Sequence, residues 1–321
     1  MKIEVAIGID IGGTNTVIGV VDREGNILAE TSTPTLTNTD INNYLNTLTS
    51  KINETVFHLN GTIEVKGIGI GAPSSNYYTG EIVGASNLGW GDRVPFVKLM
   101  KEFYDYPVIV LTNDANSAAV GEMMYGAAKG MNDFIMLTLG TGVGSGIVAN
   151  GKLILGHDGF AGELGHVIID PNGRECGCGR KGCLETYASA TGICRTASEL
   201  IATTKTESKL RNVPALNFTS KMIYDAAVKG DELALKAFEI TGKMLGKAIA
   251  DFVTFSSPEA VFLFGGLAMA GDYIFTPTRE AMEENMCFLY SNKVKLLPSK
   301  LDGAKIAILG ASAVVWQEMK N

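Results

Sequence analysis

Near the N-terminus the apolar positions fall into three short runs, residues 3–9, 16–21 and 26–33, separated by a glycine turn and by Asp22-Arg23-Glu24-Gly25. Runs of this length bounded by turn formers read as strands, and three in a row read as a meander. The period then lengthens. Ile41, Leu45, Leu48, Ile52, Val56 and Leu59 recur at steps of three and four, the spacing that lines one face of a helix. Asn38 or Thr39 stands where its N-cap belongs, and Gly61 where it should stop. Strands are predicted at 63–70 and 108–111, a helix at 115–125, and a strand at 134–139 that returns through 144–148. Asn150-Gly151 predicts a hairpin turn into 153–155. The C-terminal third reads as mostly helical, over 184–203, 221–229 and 232–255. A strand at 260–264, a helix near 272–285, a strand at 305–309 and a closing helix complete an α/β pattern.

One piece of this pattern occurs twice. Val5-Ala6-Ile7-Gly8-Ile9-Asp10-Ile11-Gly12-Gly13-Thr14 and its return strand are echoed by Phe134-Ile135-Met136-Leu137-Thr138-Leu139-Gly140-Thr141-Gly142-Val143-Gly144 and theirs. Each copy is a strand, a glycine-rich turn and a strand. Glycine lets backbone amides approach an anion closely, and Thr14 and Thr141 add hydroxyl donors, so two such turns facing each other suit a polyphosphate. A single glycine hairpin is more often only a tight turn; the pair carries the reading. Neither copy has the lysine of a P-loop or the following helix of a dinucleotide-binding unit. A third turn, Phe264-Gly265-Gly266-Leu267, lies between an apolar strand and a helix. It could take a flat adenine ring against bare backbone, or serve only to pack the helix.

Composition narrows the class. The chain has 321 residues, 46% of them hydrophobic, enough for two domains with buried cores. No basic segment followed by an apolar one opens it, and glycines break its apolar runs, so no signal peptide or membrane span is predicted and the cytoplasm is the expected compartment. A net charge of -7 and a pI near 5.1 argue against nucleic acid as a partner, because phosphate backbones call for a basic surface.

Cys176, Cys178 and Cys183 crowd together after His166, with Gly177, Gly179 and Gly182 between them. Thiolates and an imidazole are the ligands Zn²⁺ prefers, and four of them close a tetrahedral structural site. The alternative is a disulfide. Bridging Cys176 to Cys178 would close a very small, strained ring and leave the third thiol over, which points to zinc.

Two acids stand near the glycine turns. Asp10 ends the first strand of the first turn, where a carboxylate beside phosphates is repelled unless Mg²⁺ lies between, often through water. Asp114, in Thr112-Asn113-Asp114-Ala115-Asn116, follows a strand and precedes a helix. That position suits a catalytic carboxylate pointing from a strand's end into a crevice, and it equally suits a plain helix N-cap.

Taken together, Asp10-Ile11-Gly12-Gly13-Thr14, Asn87-Leu88-Gly89-Trp90, Asn113-Asp114-Ala115-Asn116, Leu139-Gly140-Thr141-Gly142-Val143-Gly144 and the stretch from Gly162-Glu163-Leu164-Gly165-His166 to Cys183-Leu184-Glu185 resemble the ROK family of bacterial sugar kinases and repressors, its glucokinases above all. The metal-bearing stretch is the most specific part; the glycine turns are shared with the wider actin, hexokinase and heat-shock ATPase superfamily.

The resemblance implies an α/β, two-lobed actin-like ATPase (ribonuclease H-like) fold with sugar and ATP in the cleft. It implies a small lobe of residues 1–111 plus 310–321, a large lobe of 112–309 carrying the zinc loop, and a homodimer formed through that large lobe. Carried over residue by residue, Asp114 is similar to the base that takes the proton from the sugar 6-hydroxyl. Asn87, Asn113, Glu163, His166 and Glu185 match positions that hold sugar hydroxyls. ATP would lie along Asp10, Gly12, Gly13, Thr14, Asn15, Thr141, Gly142, Gly265 and Gly266, with Mg²⁺ near Asp10. The chain departs from the family pattern at Ser74-Ser75-Asn76-Tyr77, at Ser86, and at Asn15, where a basic residue is common; these differences bear on which sugar is preferred.

Glucose is the expected acceptor, with N-acetylmannosamine, N-acetylglucosamine and fructose as alternatives. A sugar-responsive regulator of the same family would carry a helix-turn-helix before the first strand, which here begins at Ile3. A non-catalytic scaffold of the actin type would have no use for the zinc loop or for Asn113-Asp114.

Overall fold

β1 (Ile3–Ile11) and β2 (Asn15–Asp22) pair antiparallel around the first glycine turn, and β3 (Ile27–Pro34) adds to β2. The computed structural model describes every residue except 1, 36–39, 60, 85–87, 215–216, 302, 304 and 321. Helix α1 (Ile41–Phe57) starts after Asp40 and buries Leu45, Leu48 and Ile52 from the stripe its periodicity predicts, with Tyr44 beside them, while Ile41, Val56 and Leu59 are half-buried; Asn38 and Thr39 lie outside the described residues. β4 (Ile63–Gly71) returns parallel to β1. A small antiparallel sheet, β5 (Ser75–Asn76), β6 (Glu81–Val83) and β7 (Arg93–Val94), and a short helix α2 (Phe96–Met100) lead to β8 (Val108–Thr112). β8 lies parallel to β4, giving the order β3-β2-β1-β4-β8, and α3 (Asp114–Tyr125) leaves from its end.

The same construction is then repeated. β9 (Phe134–Leu139) and β10 (Val143–Ala149) make the second hairpin, and β11 (Lys152–Leu153) lies beside β10. After the metal-binding stretch come α4 (Glu185–Ala188), α5 (Ala190–Thr203), α6 (Ser220–Ala227) and α7 (Glu232–Ser256). β12 (Ala260–Phe264) pairs parallel with β9, α8 (Asp272–Asn285) follows, and β13 (Lys295–Pro298) pairs parallel with β12. The order β11-β10-β9-β12-β13 repeats that of the first sheet position for position. This duplicated α/β unit is the actin-like fold expected from the sequence. Helix α9 (Ile306–Glu318) closes the chain.

The chain divides into two units, one of Met1–Met131, Leu153–Ala161 and Lys300–Asn321, the other of Asn132–Lys152 and Gly162–Ser299. The division falls beyond the expected boundary at 111, because α3 is packed against α9 and stays with the first sheet. Glycines set that packing. A Cβ on Gly310 would lie 2.3 Å from the Ser117 carbonyl oxygen, one on Gly8 2.1 Å from that of Ile308, and one on Gly69 1.9 Å from that of Ala311. Helix α9 therefore lies backbone to backbone on both α3 and the sheet, with Ala311, Val314 and Val315 buried.

Two expectations for the C-terminal part are corrected. Residues 305–309 are no strand: α9 begins at Ile306 and is buried on nearly every side, so its apolar run has no polar face to reveal a helical period. The second parallel partner of the sheet is β13 instead. The helix predicted over 184–203 is broken at Ser189, whose hydroxyl oxygen caps α5 by accepting from Gly192 N–H.

Candidate active site and metal centre

The first unit brings two carboxylates to neighbouring strand ends. Asp10 lies on β1 in register with Gly71 on β4, and Gly71 with Thr112 on β8, so Asp10 and the start of α3 stand along one row of the sheet. Asn113, not Asp114, is the N-cap of α3: its side-chain oxygen accepts from Asn116 N–H at 2.6 Å. The plain capping role is thus filled by the neighbour, and the amide nitrogen of Asn113 is not used in the cap. Asp114 is the first helical residue, its Oδ1 accepting from Ala115 N–H at 2.9 Å.

The electrostatics of the two acids differ from those of surface carboxylates. Burial pushes the Asp10 pKa up to about 6, helped by the negative charge of Asp114. Asp114 is also raised by the protein packed around it, against the backbone N–H donated to it, although the residue as a whole is exposed. Two carboxylates within electrostatic reach of each other suit a hydrated divalent cation, which relieves their repulsion. Gly12, Gly13, Thr14 and Asn15 form an open turn: Gly12 N–H donates to the Asn15 carbonyl at 3.0 Å, while Gly13, Thr14 and Asn15 are exposed. Behind it, Thr16 Oγ1 bonds Thr35 Oγ1 at 2.9 Å and Tyr44 Oη at 2.8 Å in the core. Asn87 lies outside the described residues.

The second unit carries the metal centre. One ligand atom each from His166, Cys176, Cys178 and Cys183 lies within 4.8 Å of all the others. Cys178 Sγ is 3.6 Å from Cys183 Sγ, and Cys176 Sγ is 3.6 Å from His166 Nδ1. Tetrahedral zinc, with bonds of about 2.3 Å to sulfur and about 2.0 Å to nitrogen, needs edges of roughly 3.5–3.8 Å, so the donor set fits the ion. All five cysteines are free thiols, as that reading needs. A hydrogen bond from Arg180 pulls the Cys178 thiol down to about 6, favouring the thiolate that binds metal. Arg180 also donates to the His166 carbonyl at 3.0 Å.

Three of the residues expected to hold sugar, Glu163, His166 and Glu185, lie at the metal ligands, whereas Asn113 and Asp114 belong to the first unit. Glu163 and His166 leave a single 3₁₀ turn (Leu164–His166), in which His166 N–H donates to the Glu163 carbonyl. His166 turns Nδ1 toward the thiols. Glu185, the first residue of α4, has Oε1 2.9 Å from Cys176 Sγ and 3.6 Å from His166 Nδ1. Ser145 on β10 holds this stretch, its hydroxyl donating to the Gly162 carbonyl and accepting from Leu164 N–H.

The second glycine turn adjoins the same cluster. Gly140 N–H donates to the Gly142 carbonyl at 3.1 Å, with Thr141 exposed between them. A Cβ on Gly142 would stand 2.6 Å from Glu185 Oε2, so a side chain there would displace that carboxylate. Gly265 holds φ +101° with its α-carbon against the end of β9, where a Cβ would meet the Leu139 carbonyl oxygen at 2.7 Å. Gly266 faces open space at the rim of a cavity of about 440 Å³ whose walls include Lys221, Tyr224, Phe238 and Met269. The apolar walls suit a flat heteroaromatic ring. Sequence reasoning reached the two glycines but not these walls, which come from α6, α7 and the turn after β12; no local motif marks them.

A family model described as the ROK family matches residues 6–318. The chain belongs to the ROK family. It is 38% identical to the glucokinase of Halalkalibacterium halodurans over 96% of this chain and 92% of that protein, and 34% identical to the glucokinase of Thermotoga maritima over 98% of each. It is also similar to the solved structure of a ROK family glucokinase from Streptomyces griseus in complex with glucose and AMPPNP, with a TM-score of 0.79, 31% identity and coverage of 98% of this chain and 99% of that one. Among the described residues no helix of this ROK protein is long and apolar enough to cross a membrane.

Proposed function

We propose that the protein is an ATP-dependent hexose kinase that phosphorylates the 6-hydroxyl of glucose. The observation that carries the reading is Asp114, a carboxylate of raised pKa at the start of α3, just past the end of β8, in a family member whose similar proteins include two glucokinases and a kinase solved with glucose and an ATP analogue.

The chemistry follows from the residues. As O6 of the sugar forms its bond to the γ-phosphorus, the bond to the ADP oxygen breaks and the hydroxyl proton passes to Asp114. A base whose pKa lies nearer neutrality is better matched to a proton that leaves late, and such a group is worth about 10² to 10⁴ in rate. Asn87, Asn113, Glu163, His166 and Glu185 hold the remaining hydroxyls, with His166 offering Nε2 because Nδ1 faces the thiols. A site of this kind rejects an analogue lacking a hydroxyl by about 10⁴, since its own polar groups are left unpaired. The turns at 12–15 and 140–142 cradle the phosphates, and the cavity beside Gly265 and Gly266 takes the adenine. Mg²⁺ held through water by Asp10 would neutralise charge on the phosphates, and Zn²⁺ on His166, Cys176, Cys178 and Cys183 would fix the loop that carries Glu163, His166 and Glu185. Pairing into a homodimer through the second unit belongs to the same reading.

The deciding experiment is a phosphotransfer assay on glucose, N-acetylmannosamine, N-acetylglucosamine and fructose, with ADP release as readout. Glucose is expected to show the highest kcat/KM. Preference for an N-acetylhexosamine would overturn the glucose assignment, and no ADP release with any hexose would overturn the kinase reading itself.

A further inference from the structure

The metal-binding loop and the second glycine turn are joined by polar contacts that neither site needs for its own chemistry. Arg174 stands at the start of the loop, its carbonyl accepting from Gly182 N–H at 2.8 Å. Its side chain is only 8% exposed, yet it leaves the loop altogether. Nη1 donates to the Thr186 carbonyl at 2.7 Å and the Gly192 carbonyl at 3.1 Å, so one guanidinium spans the break between α4 and α5. Nη2 donates to Thr196 Oγ1 at 2.9 Å, and Nε and Nη2 donate to the two oxygens of Glu199 at 2.8 and 2.6 Å. The guanidinium lies 4.5 Å from the ring centre of Tyr187, whose hydroxyl accepts from Arg174 N–H and donates to Asp170.

The far end of this brace is the glycine turn. At the start of α5, Ala190 N–H donates to the Gly140 carbonyl at 2.8 Å and Thr191 Oγ1 donates to the Thr141 carbonyl at 2.7 Å. Turn carbonyls engaged from this side leave their peptide N–H groups directed the other way, as a phosphate cradle requires. Only a planar fork with several donors can bond two helices and a carboxylate at once, which is why a lysine could not replace Arg174 here.

We propose that Thr191 and Arg174 are positioning residues for the nucleotide: Thr191 fixes the 140–142 turn, and Arg174 fixes α5, and with it Thr191, against the metal-binding loop. The inference rests on the reading of that turn as a phosphate cradle. Its consequence is that ATP affinity depends on residues outside the nucleotide site.

The test uses the whole protein with zinc content measured in each variant. Thr191 is exposed, so Thr191→Val should fold normally, with thermal unfolding unchanged. ADP binding by calorimetry without sugar, and KM for ATP, should weaken about 3- to 10-fold, the ratio a single hydrogen bond commands, while KM for glucose stays within twofold. Arg174→Lys should weaken ADP binding in the same direction, and Thr191→Val added to it should cost less than it does alone. The proposal is overturned if Thr191→Val leaves ADP affinity within twofold of wild type, or if ATP and glucose KM rise together. Wild-type protein that binds no ADP would overturn the nucleotide reading as well, which separates the two failures.

Discussion

The two glycine turns occupy the same place on two sheets of the same order, and they are held by different means. The turn at 12–15 is fixed by its own sheet: Thr35 N–H donates to the Thr14 carbonyl, and Thr16 is locked to Thr35 and Tyr44 in the core. The turn at 140–142 is fixed from outside by the start of α5, and beside it stands Glu185, which bonds Cys176 of the metal-binding loop. A repeated motif thus keeps its strand-turn-strand geometry while its surroundings diverge: the first copy lies with Asp10 and Asp114, the second with the metal centre and Glu163, His166 and Glu185.

The sharpest way to break the comparison is to remove the acid that belongs to the first unit alone. Asp114→Ala is expected to lower kcat by at least about 10² while glucose binding, measured by calorimetry, changes little; near-normal turnover would end the assignment. Next comes the metal. Cys183 is fully buried, and Cys183→Ser should release zinc, lower the calorimetric unfolding temperature by several degrees, and cost at least roughly tenfold in glucose affinity, because metal binding there is also folding energy. A zinc-free protein with full sugar affinity would show that the loop holds itself.

The glycines give a direct contrast between the turns. In Gly142→Ala the new methyl would sit 2.6 Å from Glu185 Oε2, whereas in Gly12→Ala it would sit 3.0 Å from the Asn15 carbonyl oxygen and meet nothing else within 4 Å. Gly142→Ala should therefore raise KM for both ATP and glucose, on the order of tenfold, and Gly12→Ala should raise KM for ATP only. Equal effects on the sugar would mean that the first turn also acts on the proposed sugar site.

The smallest effect is one of pH. Asp10 has a folded pKa of about 6, against 3.8 for an ordinary aspartate carboxyl in water. A raised folded pKa means stability that is present below the unfolded value and is lost as pH rises through the folded one. In Mg²⁺-free buffer, Asp10→Asn should accordingly be more stable than wild type at pH 8, by about 1–3 kcal/mol in urea unfolding, and the advantage should fade toward pH 4. An advantage that persists unchanged at pH 4 would point to packing instead of charge.

The stripe of α1, both hairpins and the strands running into their turns were readable because each repeats a short pattern that water enforces: one face wet, one face dry. The four metal donors were readable for a different reason, since thiols and an imidazole so close in sequence are close in space whatever the fold. Helix α9 was not. Buried on all sides, it has no polar face to betray its period, and its first turn, Ile306 to Leu309, imitates a strand. Nor was the break at Ser189, because a cap inside a helical pattern looks like any other serine until the chain turns there.

By itself, then, the sequence determined the fold class, the duplicated hairpin, the donor set of the metal centre and the family, all properties of neighbouring residues or of a period along the chain. Which unit owns α3, what raises the pKa of Asp10 and Asp114, that Glu185 bonds Cys176 and lies beside the second turn, and that Arg174 bonds both α4 and α5 from the metal-binding loop were decided only by tertiary structure. These depend on approach between residues far apart in the chain, and electrostatic and steric terms that vary over a few ångströms leave no periodic trace in the order of the amino acids.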